Sequence, residues 1–178
     1  MAQERILYGE LREQTPDLAE SLDRIRDAAL EIWAEQRMAK FTAHGKDHIA
    51  QVEVNLDALT RPLVEAGEAL KPQEIFVLLA ACYLHDIGMQ LDVPDAREEH
   101  AQHSYRLILD SFEDEEGRIR RAGVRIDDPT TREAIALVAR GHWTSFALKL
   151  PSEDDLGWNR SGRLRLLGLL LATADLLV

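Results

Sequence analysis

The residues best placed to do chemistry are His85 and Asp86, side by side at the end of the apolar run Ile75 to Leu84. Burying an imidazole and a carboxylate is costly unless each finds a partner. A divalent cation is a ready partner for both, and a helix C-terminal ion pair is the alternative. Gly88, two residues on, is read as the stop of that helix. Two more ligand-type side chains share the same oddity. His48 sits at the N-terminal edge of the stripe Ile49, Val52, Leu56, Leu59 and Leu63, and Asp175 continues the stripe Leu164, Leu167, Leu171. An inward aspartate destabilises a core unless it is paired, for instance with Arg140, or holds a cation. Neighbouring side chains on a helix diverge by about 100°. His85 and Asp86 therefore reach one ion only if the helix end is distorted, or if Asp86 bridges two.

The elements that must position these residues all read as helices. Thr15-Pro16-Asp17 is a start signal for a helix carrying Leu18, Leu22, Ile25, Ala29, Ile32 and Trp33. A short helix around Ile6, Leu7 and Leu11 precedes it. Gly45 breaks the pattern before a helix over 46–65, weakened at its end by Pro62. Lys71-Pro72 opens the helix that runs to His85. Further helices are expected over 95–112, from the cap Asp128-Pro129-Thr130 to Gly141, and from about Arg160 to Asp175, with an irregular loop over 149–159. No strand alternation and no repeat is convincing. The expected architecture is all-α, a bundle of about six to eight helices.

The pattern His48…His85-Asp86…Asp175 in a helical chain resembles the HD superfamily of metal-dependent phosphohydrolases. The matching pieces are His48 followed by Val52, the segment Leu84-His85-Asp86-Ile87-Gly88 and the segment Ala172-Thr173-Ala174-Asp175-Leu176. The lead-in Thr42-x-His44-Gly45-x-x-His48 is similar to a branch whose HD domains are fused to ATPase or other signalling modules. The resemblance implies an HD-like helical bundle over residues 41–178, preceded by a packed helical segment, 1–40. It implies His48, His85, Asp86 and Asp175 as metal ligands, with Asp86 and His85 at the catalytic centre. His100 and His142 fall where further ligands for a second ion are expected, although either can instead contact a substrate phosphate. His44 and Lys46 are candidate substrate contacts, and His103 is expected at the surface. The family often has a glutamate three residues after the central aspartate; here that position is Met89. Trp143 and Trp158 can line a base-stacking pocket, but a core role is commoner for tryptophan. The arginines at 160, 163 and 165 are expected to be solvated.

Mixed imidazole and carboxylate donors suit Mn, Fe, Co, Ni or Zn better than Ca; one or two divalent ions are expected, with Mg as a further candidate. Such an ion brings the pKa of a bound water down towards ~7 and neutralises phosphate oxygens, so the expected reaction is hydrolysis of a phosphomonoester or phosphodiester, nucleotides included. The runner-up is a regulatory module that binds metal or nucleotide without turnover, and a third reading is a di-iron oxygenase. At 178 residues, with 46% apolar and 30% charged residues, the chain can build one soluble domain. The net charge of −11 argues against a nonspecific nucleic-acid binder, and a small phosphorylated molecule or nucleotide is the expected partner. No membrane span or signal peptide is legible. The single cysteine, Cys82, excludes an internal disulfide and fits a cytoplasmic setting. The apolar ending Leu176-Leu177-Val178 leads us to expect further domains in a longer chain.

Overall fold

A computed structural model describes residues 6–34, 46–91, 93, 95–114, 116–120, 122–157 and 160–178. The apolar run before His85 folds as α4 (Pro72–Leu84), in which every residue from Glu74 to Leu84 is buried. A helix apolar all round must be packed all round. Here α1 (Ile6–Gln14), α2 (Pro16–Ala34), α3 (Lys46–Glu65), α6 (Pro129–Arg140) and α8 (Leu164–Leu176) all contact α4. The remaining helices are α5 (His100–Ile108), which packs on α6, and the single turn α7 (Thr144–Ala147), which packs on α8. The surrounding helices are amphipathic. The α2 stripe Leu22, Ile25, Ala29 and the α3 stripe Ile49, Val52, Leu56 are buried as the spacing predicts.

Two local signals act as expected. Asp128 caps α6, its Oδ1 accepting the Thr131 N–H at 2.7 Å. Pro62 is tolerated inside α3, which continues to Glu65. Three expectations need correction. The helix expected over 95–112 shrinks to α5, because residues 95–99 form turns. The last helix begins at Leu164 rather than near Arg160, because Ser161 and Gly162 pair antiparallel with Asp154 and Asp155. A second two-residue pair joins Phe112–Glu113 to Ile119–Arg120. These ladders are too short to alter the class, and the molecule is an all-α, HD-like bundle.

Arg163 is not solvated. Its guanidinium meets the fully buried Glu74 (Nε to Oε1 2.9 Å, Nη2 to Oε2 2.8 Å) and also donates to the carbonyls of Glu68 and Ala69. Glu74 accepts the Lys71 and Arg163 backbone N–H groups as well, so one carboxylate ties the start of α4 to the start of α8. Burial alone would raise the Glu74 pKa, but the Arg163 hydrogen bonds pull it below the usual glutamate value. Among the described residues no helix is long and apolar enough to cross a membrane.

Candidate metal centre

Helix α4 ends at Leu84, and His85 follows as its C-cap in right-handed helical geometry. Asp86 then leaves the helix at φ −107°, ψ 5°, and a 3-10 turn takes over at Ile87–Gln90. The distortion lets adjacent side chains converge. His85 Nε2 and Asp86 Oδ2 are 3.3 Å apart. From α3, the His48 Nε2 lies 3.4 Å from His85 Nε2 and 3.7 Å from Asp86 Oδ2. From α8, Asp175 Oδ1 lies 3.0 Å from His48 Nε2 and 3.6 Å from His85 Nε2. On the other side of Asp86, its Oδ1 faces His100 Nε2 of α5 at 3.4 Å and His142 Nε2, just past α6, at 3.7 Å. The six side chains thus form two compact groups, His48–His85–Asp175 and Asp86–His100–His142, each with ligand atoms within 4.8 Å of one another. Asp86 touches both groups, one oxygen to each.

Three of the imidazoles are held the same way. The Nδ1 of His85 lies 2.8 Å from the Cys82 carbonyl, that of His100 2.6 Å from Arg97, and that of His142 2.7 Å from Ala139. Each partner is the carbonyl three residues earlier. A carbonyl can only accept, so in each ring Nδ1 carries a proton and it is Nε2 that faces the site. For His85 and His142 that carbonyl belongs to the last helical turn, and the Ala139 carbonyl also accepts the His142 backbone N–H at 3.3 Å. His100 Nε2 and His142 Nε2 then face each other at 2.8 Å. Two lone pairs at that distance repel, and either a proton on one ring or a cation held by both resolves the contact. The donor set, its tautomers and this confrontation fit one or two divalent ions with mixed nitrogen and oxygen ligation.

The electrostatics agree. Burial would lower the His85 pKa, but the Asp86 and Asp175 carboxylates beside it override burial and push it up to about 10. Burial also lowers His142, and with His85 beside it the ring falls to about 4. Burial opposes ionisation of Asp175, yet hydrogen bonds from His48 and His85 hold its pKa well below the carboxylate range. The site is deep on one side and open on the other. The side chains of His85 and Asp86 are 1% and 4% exposed, against 16% for His100 and 23% for Asp175. A separate cleft of about 390 Å³, lined in part by Ile25, Phe76 and Ile126, shares no residue with this cluster.

A family model described as HD-CE matches residues 38–177, well over half of the chain. The chain belongs to the HD-CE family. No curated protein and no solved structure matches it. The HD-CE match covers α3 to α8, which carry all six residues of the cluster, so the family region and the candidate metal centre coincide.

Of the other residues singled out, Lys46 is exposed in the first turn of α3, while His44 and Trp158 lie outside the described residues. Arg140 does not pair with Asp175; its guanidinium stacks over Phe146 at 4.0 Å and Tyr105 at 5.4 Å. His103 is buried rather than exposed, against Phe112 and with Nε2 3.1 Å from Asp95 Oδ1. Gly88 does not stop α4. It lies buried in the 3-10 turn, where a Cβ would meet the His100 carbonyl oxygen at 2.3 Å and the Ser104 nitrogen at 2.7 Å. Only glycine lets α5 approach closely enough to bring His100 to Asp86. Likewise, a Cβ on Gly141 would lie 3.1 Å from the Gly168 Cα, so α6 and α8 meet through two glycines beside His142. A glycine within two residues of a ligand-type residue is the sequence signal that marks both contacts.

Proposed function

We propose that this HD-CE chain is a metal-dependent phosphohydrolase of the HD superfamily, cleaving a phosphomonoester or phosphodiester. The observation that carries the reading is Asp86, a buried carboxylate with one oxygen towards His48 and His85 and the other towards His100 and His142. His48, His85 and Asp175 would hold one ion, His100 and His142 a second, and Asp86 would bridge them. Bound divalent ions supply an acidified water and neutralise phosphate oxygens. The protein's own part is to fix that chemistry in place. The carbonyl contacts of His85, His100 and His142 keep three Nε2 atoms aimed inward. Two aspartates against four neutral imidazoles leave two ions with a net positive charge, which draws an anionic ester to a chain whose net charge is −11. The exposed side at His100 and Asp175 is the way in.

The deciding experiment is metal analysis of the purified protein, followed by a phosphate-release screen over nucleotides and simple esters with wild type and Asp86→Ala. Hydrolysis is expected in wild type and lost in the variant on the order of 10³-fold or more, with the helical circular dichroism retained. Undiminished turnover in the variant refutes the assignment. One observation favours a second reading. Met89 is buried in the 3-10 turn, so no carboxylate base enters the site from that position. A regulatory HD module would bind nucleotide and release no phosphate in the same screen.

A further inference from the structure

The open lip of the site carries an aromatic ring that the ligand chemistry does not use. Trp143 follows His142 directly and N-caps α7 in extended geometry, φ −80° and ψ 108°. Its indole stands 5.5 Å from the His100 ring at 83° and 6.3 Å from the His142 ring at 65°. Edge-to-face contacts of this kind occupy at most one face of an indole. The ring is only partly buried, unlike the fully covered core that tryptophan usually joins. Among the described residues it makes no hydrogen bond, although an indole N–H that is sealed in a core usually finds an acceptor. The tryptophan therefore stands at the opening beside His100, the most exposed of the four histidines' side chains.

We propose that Trp143 is the stacking platform for the substrate's leaving group, which makes the preferred substrate a nucleoside monophosphate. This rests on the phosphohydrolase reading and narrows it. A phosphate drawn to the Asp86–His100–His142 group lies next to the ring that Trp143 touches. One sugar spans the gap between that phosphate and a base stacked on the indole. In a triphosphate cleaved at its outermost phosphate, two more phosphates intervene and carry the base past the indole. Stacking tolerates any base, because each has a π-face, so Trp143 selects for the presence of a base and not for its identity. Hydrolysis breaks the bond between phosphorus and the sugar oxygen. Water gives its hydroxyl to phosphorus and a proton to the departing nucleoside.

The test compares adenosine 5′-monophosphate with ribose 5-phosphate, the same ester without the base, on Mn²⁺-loaded wild type, Trp143→Ala and Trp143→Phe. Wild type should favour the nucleotide in kcat/KM by roughly 5- to 150-fold, the range that stacking one base contributes. That ratio should collapse in Trp143→Ala, chiefly through KM, and largely survive in Trp143→Phe. Absence of a preference in wild type, or an equal loss on both esters, overturns the proposal. So does loss of bound Mn²⁺ from Trp143→Ala, which would make the indole a mere wall for the histidines. If wild type turns over neither ester, equilibrium dialysis of adenosine 5′-monophosphate decides. Binding that needs Trp143 upholds the platform, and no binding removes it; in either case the hydrolase reading is decided by the phosphate-release screen.

Discussion

Loading the centre at about pH 8 should expel a proton from His85, and the number released can be worked from its surroundings. The ring is held up to about 10 by Asp86, whose Oδ2 is 3.3 Å away, and by Asp175. Two pH units below that value, roughly 99 molecules in a hundred carry the extra proton. A ligating imidazole must be neutral, so the ion that takes Nε2 has to displace it. Calorimetric titration of Mn²⁺ into chelator-stripped protein, repeated in buffers of different ionisation enthalpy, counts the protons. About one should leave from His85, and affinity should rise about tenfold per pH unit until the pH approaches the His85 value. His85→Gln, which cannot carry that proton, should release one fewer. The sign also governs stability. The folded pKa lies above the unfolded one of about 6.5, so the ion-free protein has this stabilisation in full below the lower value and loses it as pH rises through about 10. Its melting temperature should fall over that window, and the loaded protein's should not show this fall. Release of less than about half a proton in wild type, or equal release in His85→Gln, refutes the electrostatic account of the centre.

Two further perturbations test how the bundle holds its ligands. Glu74→Ala leaves the half-buried Arg163 guanidinium without its carboxylate and should cost about 3–5 kcal/mol in urea unfolding; a loss under about 1 kcal/mol would show the pair to be no more than a surface bridge. Gly88→Ala places a methyl against the backbone of His100 and Ser104 and should cost about 1–3 kcal/mol. Because α5 must retreat, bound metal should drop from two ions to one with helicity retained, and an unchanged metal content would show that the close approach does not position His100.

The helical class and the deep ligands are legible because each breaks a pattern. His85-Asp86 ends a run of eleven buried residues, and Asp175 interrupts a leucine stripe, so an apolar environment is implied around a polar atom. Contacts between helices distant in sequence leave no such trace. Arg163 reads as one more charge among 21 Lys and Arg, and only the fold brings it to Glu74, 89 positions away. His103 reads as the exposed neighbour of His100, yet the approach of α5 to Gly88 buries it. Gly88 itself carries two meanings in sequence, a helix stop or a close contact, and only the position of α5 separates them.

The tautomer lock shows how local rules and tertiary geometry share the assembly of the centre. A histidine at or just past a helix C-terminus finds a last-turn carbonyl three residues back, as His85 does at Cys82 and His142 at Ala139. That bond is written into the helix end and needs no distant partner. It fixes the ring and turns Nε2 outward before any other segment arrives. Tertiary packing then has only to bring ready-made donors together around Asp86. The packing does so through α4, which touches α3, α6 and α8, so three of the four segments that supply ligands to His85-Asp86 are registered against the helix that ends in that dipeptide. His100 is the exception. Its helix, α5, reaches the centre through the Gly88 turn and α6 rather than through α4 directly, and its imidazole is the most exposed of the four. The ligand held by the most indirect packing is thus the one at the open lip beside Trp143, where an incoming ester would have to be admitted and its product released.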